Sequence, residues 1–402
     1  MQVEQAPKDV RRTSAALGVA PRQHHAFRTD VEGLRGVAVA AVVLYHAGIP
    51  HLGGGYVGVD VFFVISGFLI TGLLLAEHDR TGRISLLAFY GRRVRRILPA
   101  ATLVVVVTVV TAYVLVGVAR GQEVAHDAEW VAVFLGNYHF ATTGVNYFNR
   151  GAPPSPLLHY WSLGVEEQFY ALWPLLLIAC ALVARRLPYR RKVVAVLAAG
   201  IAASFVWSLF QTNSDPSWAY FSPFTRAFEL GTGALAVVSW LGMGAIVVAA
   251  VVYTPSTPFP GLAALLPVLG AAAVIVGGTG GARSGAVTLL GRRPVRFLGR
   301  ISYSLYLWHW PILVLAAGYL GWSSLGLNLG LIAGACVLAT LTYHLVESPV
   351  RSSAFLRSKP EVVSLLLAAL LVAAVLAVSL IEIHLHTVAY HRPAQLSNPV
   401  FP

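Results

Sequence analysis

Twenty-five of the 29 Lys and Arg residues fall into five clusters, and those clusters sit at alternate ends of long apolar runs. They occupy residues 8–35, 80–96, 185–192, 283–300 and 351–359, with Arg120, Arg150, Arg226 and Arg392 outside them. Loops on the cytoplasmic side of membrane helices collect Lys and Arg, so this is the positive-inside pattern of a polytopic membrane protein. It also assigns a side of the membrane to each motif.

Composition agrees. The 402 residues have a mean hydropathy of +0.70, and 57% are hydrophobic against 11% charged. A soluble domain carries about 25% charged residues. The net charge of +12 would suit a nucleic-acid binder, but the topology explains it better, because the basic residues are anchors spread over five segments. Cys180 and Cys336 lie inside apolar runs and read as small buried hydrophobes, not as a disulfide or a metal pair. Residues 1–27 are basic and lack an apolar h-region, so no cleavable signal is expected and the first span serves for insertion.

A span needs about 20 apolar residues. Eleven candidates lie at 34–49, 57–76, 98–118, 165–183, 193–210, 226–240, 241–253, 259–277, 301–320, 325–346 and 362–383. The stretch 128–140 is apolar but too short, and a span there would put the 185–192 cluster outside, so it is expected to be a re-entrant or interfacial helix. Every basic cluster is then cytoplasmic, the N-terminus inside and the C-terminus outside. Residues 51–56, 142–160, 211–225 and 254–258 become external loops.

Three constellations carry chemistry. Arg35 and His46 stand eleven residues apart, very close to three helical turns, hence on one face about 16 Å apart along the axis. An ionisable residue inside a span marks a candidate site, and imidazole is a general base near neutral pH; the other reading is a His bonded to a neighbouring helix above an anchoring Arg. Arg92, Arg93, Arg95 and Arg96, before Pro99, form two overlapping Arg-x-x-Arg pairs whose guanidinium forks suit phosphates, or serve as anchors. In His159-Tyr-Trp161-Ser162-Leu-Gly-Val-Glu166-Glu167-Gln-Phe-Tyr170 two adjacent carboxylates enter a span, where the alternative is a wet junction at a helix N-terminus. Asp60, the Arg226–Glu229 pair and His309 lie within or at the ends of spans. A purely structural ion pair is the favoured reading of Arg226–Glu229.

Several signatures are missing. The chain has no Gly-Lys dipeptide for a Walker loop, no Asp-x-Asp and no His-Glu-x-x-His. His25 and Asp30 fit the His-x-x-x-x-Asp spacing of soluble glycerolipid acyltransferases, but in a basic tail with no domain around them.

The ordered motifs nevertheless converge. They are Arg28-x-Asp30-x-Glu32-Gly-Leu-Arg35-Gly with ten residues from Arg35 to His46, Gly58-Val-Asp60-Val-Phe-Phe-Val-Ile-Ser66-Gly67, and Phe89-Tyr-x-Arg92-Arg93-x-Arg95-Arg96-Ile-Leu-Pro99. Leu158-His159-x-Trp161-Ser162-Leu-x-Val-Glu166-Glu167-Gln-Phe-Tyr170, Arg226-Ala-Phe-Glu229, Thr257-Pro-Phe-Pro-Gly, Ser302-Tyr-Ser-Leu-Tyr-Leu-Trp308-His309-x-Pro311 and Glu347-x-Pro-x-Arg351 follow. Over residues 28 to 351 the sequence resembles the acyltransferase-3 family of bacterial membrane acyltransferases, close to the O-antigen acetylase type.

The resemblance implies an all-α membrane bundle of ten core spans, with one extra C-terminal span here. It implies transfer of an acyl group, usually acetyl, from cytoplasmic acyl-CoA to an envelope glycan or glycolipid, without a metal. The expected division is a basic tail at 1–27, the membrane domain at 28–351, a linker and extra helix at 352–384 and an external tail at 385–402, in a bacterial inner membrane. Some members carry a soluble esterase-like (SGNH) domain beyond the extra helix; this chain does not contain one. In this reading Arg35 and one register of Arg92, Arg93, Arg95 and Arg96 hold the donor. His46 is the general base or brief acyl carrier, and Glu167 orients it or the acceptor. Asp60, Trp161, Ser162, Glu166, Arg226, Glu229 and His309 line the acceptor site, with Trp161 stacking on a sugar. A flippase for a lipid-linked sugar is the competing reading, but it needs no CoA site. A polyprenyl-linked glycosyltransferase is disfavoured by the missing Asp-x-Asp.

Overall fold

The computed structural model describes residues 28–143, 154–182, 188–232, 239–277 and 286–391. Residues 1–27, Arg150, Arg185, Arg186, Arg283 and the end of the chain from Arg392 lie outside the described residues. The regular elements described are all helical. They are α1 (Thr29–His46), α2 (Gly58–Thr81), α3 (Leu86–Thr111), α4 (Val118–Ala132), α5 (Gly136–Thr142), α6 (Trp161–Leu182), α7 (Tyr189–Ser214), α8 (Pro216–Phe221) and α9 (Pro223–Thr232). There follow α10 (Ser239–Val252), α11 (Leu265–Gly277), α12 (Ala286–Leu290), α13 (Arg293–Leu320), α14 (Leu325–Thr342), α15 (Ser348–Ser352), α16 (Ala354–Ser358) and α17 (Glu361–His391).

All eleven expected spans overlap a helix. Among the described residues six stretches are long and apolar enough to cross a membrane: Gly55–Thr81, Leu86–Val116, Leu158–Leu182, Arg191–Ser214, Leu325–Ser358 and Glu361–Leu385. The chain is therefore a polytopic helical membrane bundle. Helices α9, α10 and α11 have only 10, 14 and 13 residues. The best apolar windows of α2 and α3 are 56% buried, against 17% for those of α7, α14 and α17. The first two are central; the other three present most of their apolar surface outward, as lipid-facing helices do. Cys180 is buried, Cys336 half-buried, and both are free thiols.

Two loop expectations are corrected. The segment 128–140 is not one helix: α4 stops at Ala132, Phe134 takes a φ of 59°, and α5 begins at Gly136. A left-handed residue breaks the helical ladder there. Residues 211–225 are mostly helical. Helix α7 runs on to Ser214, and the Asp215 carboxylate then accepts the Trp218 N–H at 3.1 Å to cap α8.

Helices α1 and α13 pack almost backbone to backbone. A Cβ on Gly36 would collide with Val295 O, and one on Gly299 with Glu32 O. Close approach through glycines is a common way to join membrane helices. Arg296 Nε bonds Glu32 Oε2 at 2.7 Å beside this contact, so part of the 283–300 basic cluster ties helices together as well as anchoring them. Both helices run in the same direction, and each carries a histidine ten residues beyond its glycine. At about 1.5 Å per residue the two histidines arrive at the same level.

Candidate active site

His46, the last residue of α1, places its Nδ1 3.0 Å from Nε2 of His309. The His309 Nδ1 lies 2.8 Å from Tyr306 O and 3.2 Å from Leu305 O. A carbonyl oxygen only accepts, so His309 Nδ1 carries the proton. With both rings uncharged, His309 Nε2 accepts from His46 Nδ1–H, and the lone pair of His46 sits on Nε2. His309 thus sets the tautomer of His46. The role of orienting the imidazole was expected of a carboxylate, Glu167; at Nδ1 it belongs to an imidazole instead.

Pro311 shapes the same turn. It lacks an N–H, which leaves Leu307 O without its helical donor, and His159 Nε2 donates there at 3.2 Å. The His159 ring stands 5.8 Å from that of His309. Tyr306 OH donates to His159 O at 2.9 Å and lies 2.7 Å from Ser162 Oγ. Tyr306, one turn before His309 on α13, and Ser162 of α6 line one end of a cavity that neither histidine lines.

The cavity, with the open space at its mouth counted in, holds about 790 Å³. Its middle is apolar, lined by Phe62, Phe63, Ile65 and Leu69 of α2. At the end away from the histidines stand Arg35, Arg93 and Arg96. Among the described residues Arg35 and Arg96 have no hydrogen bond or ion pair, and the buried Arg93 Nε has no partner. The Arg93 guanidinium lies over the Tyr170 ring at 3.8 Å. Arg92 pairs instead with Glu77 at 3.2 Å, and the buried Arg95 donates to Ser364 Oγ of α17. The double Arg run, ambiguous in sequence, therefore faces the cavity in the 93/96 register.

Glu166 lines the cavity and accepts from Ser66 Oγ at 2.6 Å, while Tyr170 OH donates to that hydroxyl at 2.8 Å. Glu167 is not among the lining residues, and its Oε1 is buried without a partner among the described residues. Glu347 accepts from Ser304 Oγ at 2.9 Å and pairs with Arg351 at 3.6 Å.

Four residues expected at the acceptor site form a closed cluster instead. Arg226 NH1 bonds both Asp60 Oδ1 and Glu229 Oε1 at 2.9 Å, and all three side chains are at most 1% exposed. The guanidinium lies 5.4 Å from the Trp161 ring and 4.8 Å from that of Tyr220. Trp161, 1% exposed and packed on Phe63, Tyr220 and Phe221, has no face to offer a sugar. Its position beside the acidic pair suggested a platform; the fold uses it as core. Sequence reasoning missed Ser66, His159, Tyr170, Tyr303, Tyr306, Trp310 and Glu347 as site neighbours. Their motifs were visible, but only packing shows which side chains turn inward.

Residues 28–346 match the acyltransferase-3 family, described as an acyltransferase domain. The chain belongs to this family. It is 33% identical over 364 residues to YrhL of Bacillus subtilis (strain 168), provisionally named a peptidoglycan O-acetyltransferase, covering 83% of this chain and 56% of that protein. It is 28% identical to the peptidoglycan O-acetyltransferase OatA of Listeria monocytogenes serovar 1/2a, covering 83% and 57%. Against the O-acetyltransferase OatA of Staphylococcus aureus (strain NCTC 8325 / PS 47) identity is 30%, covering 82% and 58%. The chain thus spans somewhat over half the length of these relatives. No solved structure matches it.

Proposed function

We propose that the chain moves an acetyl group from cytoplasmic acetyl-CoA to a hydroxyl of a cell-envelope glycan outside the inner membrane. The observation that carries this reading is the His46–His309 pair beyond a cavity whose other end holds Arg35, Arg93 and Arg96. Arg35 and Arg96, without a hydrogen bond or ion pair among the described residues, and Arg93, stacked on Tyr170, suit the donor's phosphates, and the apolar middle suits its pantetheine arm. His46 Nε2 takes the proton of the acceptor hydroxyl as that oxygen attacks the thioester carbonyl. The C–S bond breaks, and the CoA thiolate leaves with the proton that His46 returns. Acetyl as the group and peptidoglycan as the envelope glycan are supported by the names of the relatives; a glycolipid acceptor is the finer alternative. The basic clusters support a cytoplasmic N-terminus and an external C-terminus.

The test is to incubate the purified chain in lipid nanodiscs with labelled acetyl-CoA and an envelope extract, then identify the labelled product. Labelled glycan that disappears with His46→Ala supports the reading. Vesicle import of a lipid-linked sugar without acetyl transfer would establish the flippase reading instead.

A further inference from the structure

We propose that Glu166 holds the donor between its two ends: one carboxylate oxygen accepts a hydrogen bond from the secondary hydroxyl of the pantetheine arm, so the site reads the arm as well as the phosphates. The inference rests on the acyl-transfer reading above, with acetyl-CoA as donor, and gives a role to a carboxylate which that reading does not use.

The face of α6 that lines the cavity has a regular order. Ser162, Glu166 and Tyr170 follow one another at every fourth residue, so they lie along one side of the helix at steps of about 6 Å. Tyr170 stands at the arginine end, with the Arg93 guanidinium 3.8 Å from its ring centroid. Ser162, 2.7 Å from Tyr306 OH, stands at the other end. Glu166 lies between them. A donor whose phosphates meet Arg35, Arg93 and Arg96, and whose arm runs toward Tyr306, passes Glu166 with the portion that follows its phosphates. In CoA that portion is the pantoyl unit, which carries a hydroxyl.

The hydrogen bonds leave Glu166 with capacity to accept. Tyr170 OH donates to Ser66 Oγ at 2.8 Å, and Ser66 Oγ donates to Glu166 Oε1 at 2.6 Å, so both protons run toward the carboxylate. Oε2 has no partner among the described residues. Glu166 is half-buried, and its Oε2, unlike the enclosed Oε1 of Glu167, keeps accessible surface. Other hydroxyls of the cavity give their protons to the backbone: Ser302 to Gly299 O at 2.9 Å, Tyr303 to Ile97 O at 2.8 Å and Tyr306 to His159 O at 2.9 Å. A ligand that fills the cavity displaces water from Oε2, and an unsatisfied carboxylate oxygen is costly, so the ligand must bring an O–H or N–H there. A phosphate at the same level would be repelled, which confines the anionic part of the donor to the arginine end.

The experiment is calorimetric titration of the full chain in nanodiscs with CoA and with a CoA analogue in which hydrogen replaces that hydroxyl. The readout is the ratio of the Kd values, in which changes at the arginines or in the folded fraction cancel. The parent is expected to bind CoA about tenfold or more tightly than the analogue, the effect of losing a charge-assisted bond. Glu166→Ala is expected to bring the affinities within about twofold of each other, and the near-isosteric Glu166→Gln to lower the ratio about threefold or more. Equal affinities in the parent, or a parental ratio in both variants, overturns the proposal while CoA binding by the parent leaves the donor reading standing. A parent that binds neither ligand overturns the donor reading and this inference with it.

Discussion

Gly36 and Gly299 face each other across the α1–α13 contact, and ten residues farther along each helix the nitrogens of His46 and His309 meet at 3.0 Å. The glycines and the histidines are one device. Parallel helices joined at one level stay in register over the next three turns, so the glycine contact determines whether the imidazoles meet.

Placing a side chain at that contact should break the device. Gly299→Ala puts a methyl group into Glu32 O, a backbone atom that cannot rotate away. Overpacking of this kind costs about 1–3 kcal/mol. The expected outcome is a lower unfolding temperature together with loss of transfer. A variant with parental stability and rate would show that the two helices are not held by this approach.

The histidines should separate by function. His46→Ala is expected to lower transfer by about 100- to 10,000-fold, the range for loss of a general base. His309→Ala should lower kcat less, because His46 remains but its tautomer is no longer set. Steady-state kinetics of both variants, with CoA binding measured alongside, checks this. A His309→Ala enzyme more damaged than His46→Ala, with binding intact, would move the base to His309.

The four arginines should divide into three groups. Loss of a charge-assisted bond to donor phosphate costs about 1.5–3 kcal/mol, so Arg93→Ala and Arg96→Ala should weaken CoA binding about tenfold or more. Arg92→Ala, which removes only an exposed pair with Glu77, should bind CoA like the parent. Arg95→Ala should lower stability through the lost contact with Ser364 of α17. Calorimetric titration with CoA and thermal unfolding distinguish them; equal CoA affinity in all four variants would leave the cluster as an anchor.

The buried Arg226 cluster should behave as structure. Removing one partner of a buried ion pair costs about 3–5 kcal/mol. Asp60→Ala is therefore expected to reduce the yield of folded protein while surviving molecules keep the parental acceptor KM. A well-folded variant with a raised acceptor KM would return Asp60 to the acceptor site.

Orientation is open to direct labelling. Single cysteines at the exposed positions Thr81 and Ser256, in a background lacking Cys180 and Cys336, should differ in intact cells. An impermeant reagent is expected to reach Ser256 and not Thr81. Equal labelling of both would sink the positive-inside assignment.

Membrane class and the order of the helices are local properties, and the sequence alone determined them. Apolar length and the side on which Lys and Arg accumulate are each read from one segment at a time, which is why all eleven expected spans overlap helices. Motif order likewise pointed to the family. Packing decided the rest. Which of Arg92, Arg93, Arg95 and Arg96 face the cavity depends on the neighbours of α3, since Glu77 and Ser364 take two of them. Trp161 and Asp60 looked like site residues because they are polar or aromatic at span ends, but the ion pair of Asp60 with Arg226 and the packing of Trp161 on Phe63, Tyr220, Phe221 and Arg226 made them core. His46 and His309 are 263 positions apart, and no periodicity joins them. A contact between distant helices depends on the shape of both surfaces, so the glycine approach of α1 to α13, and the imidazole pair it aligns, belong to the tertiary structure.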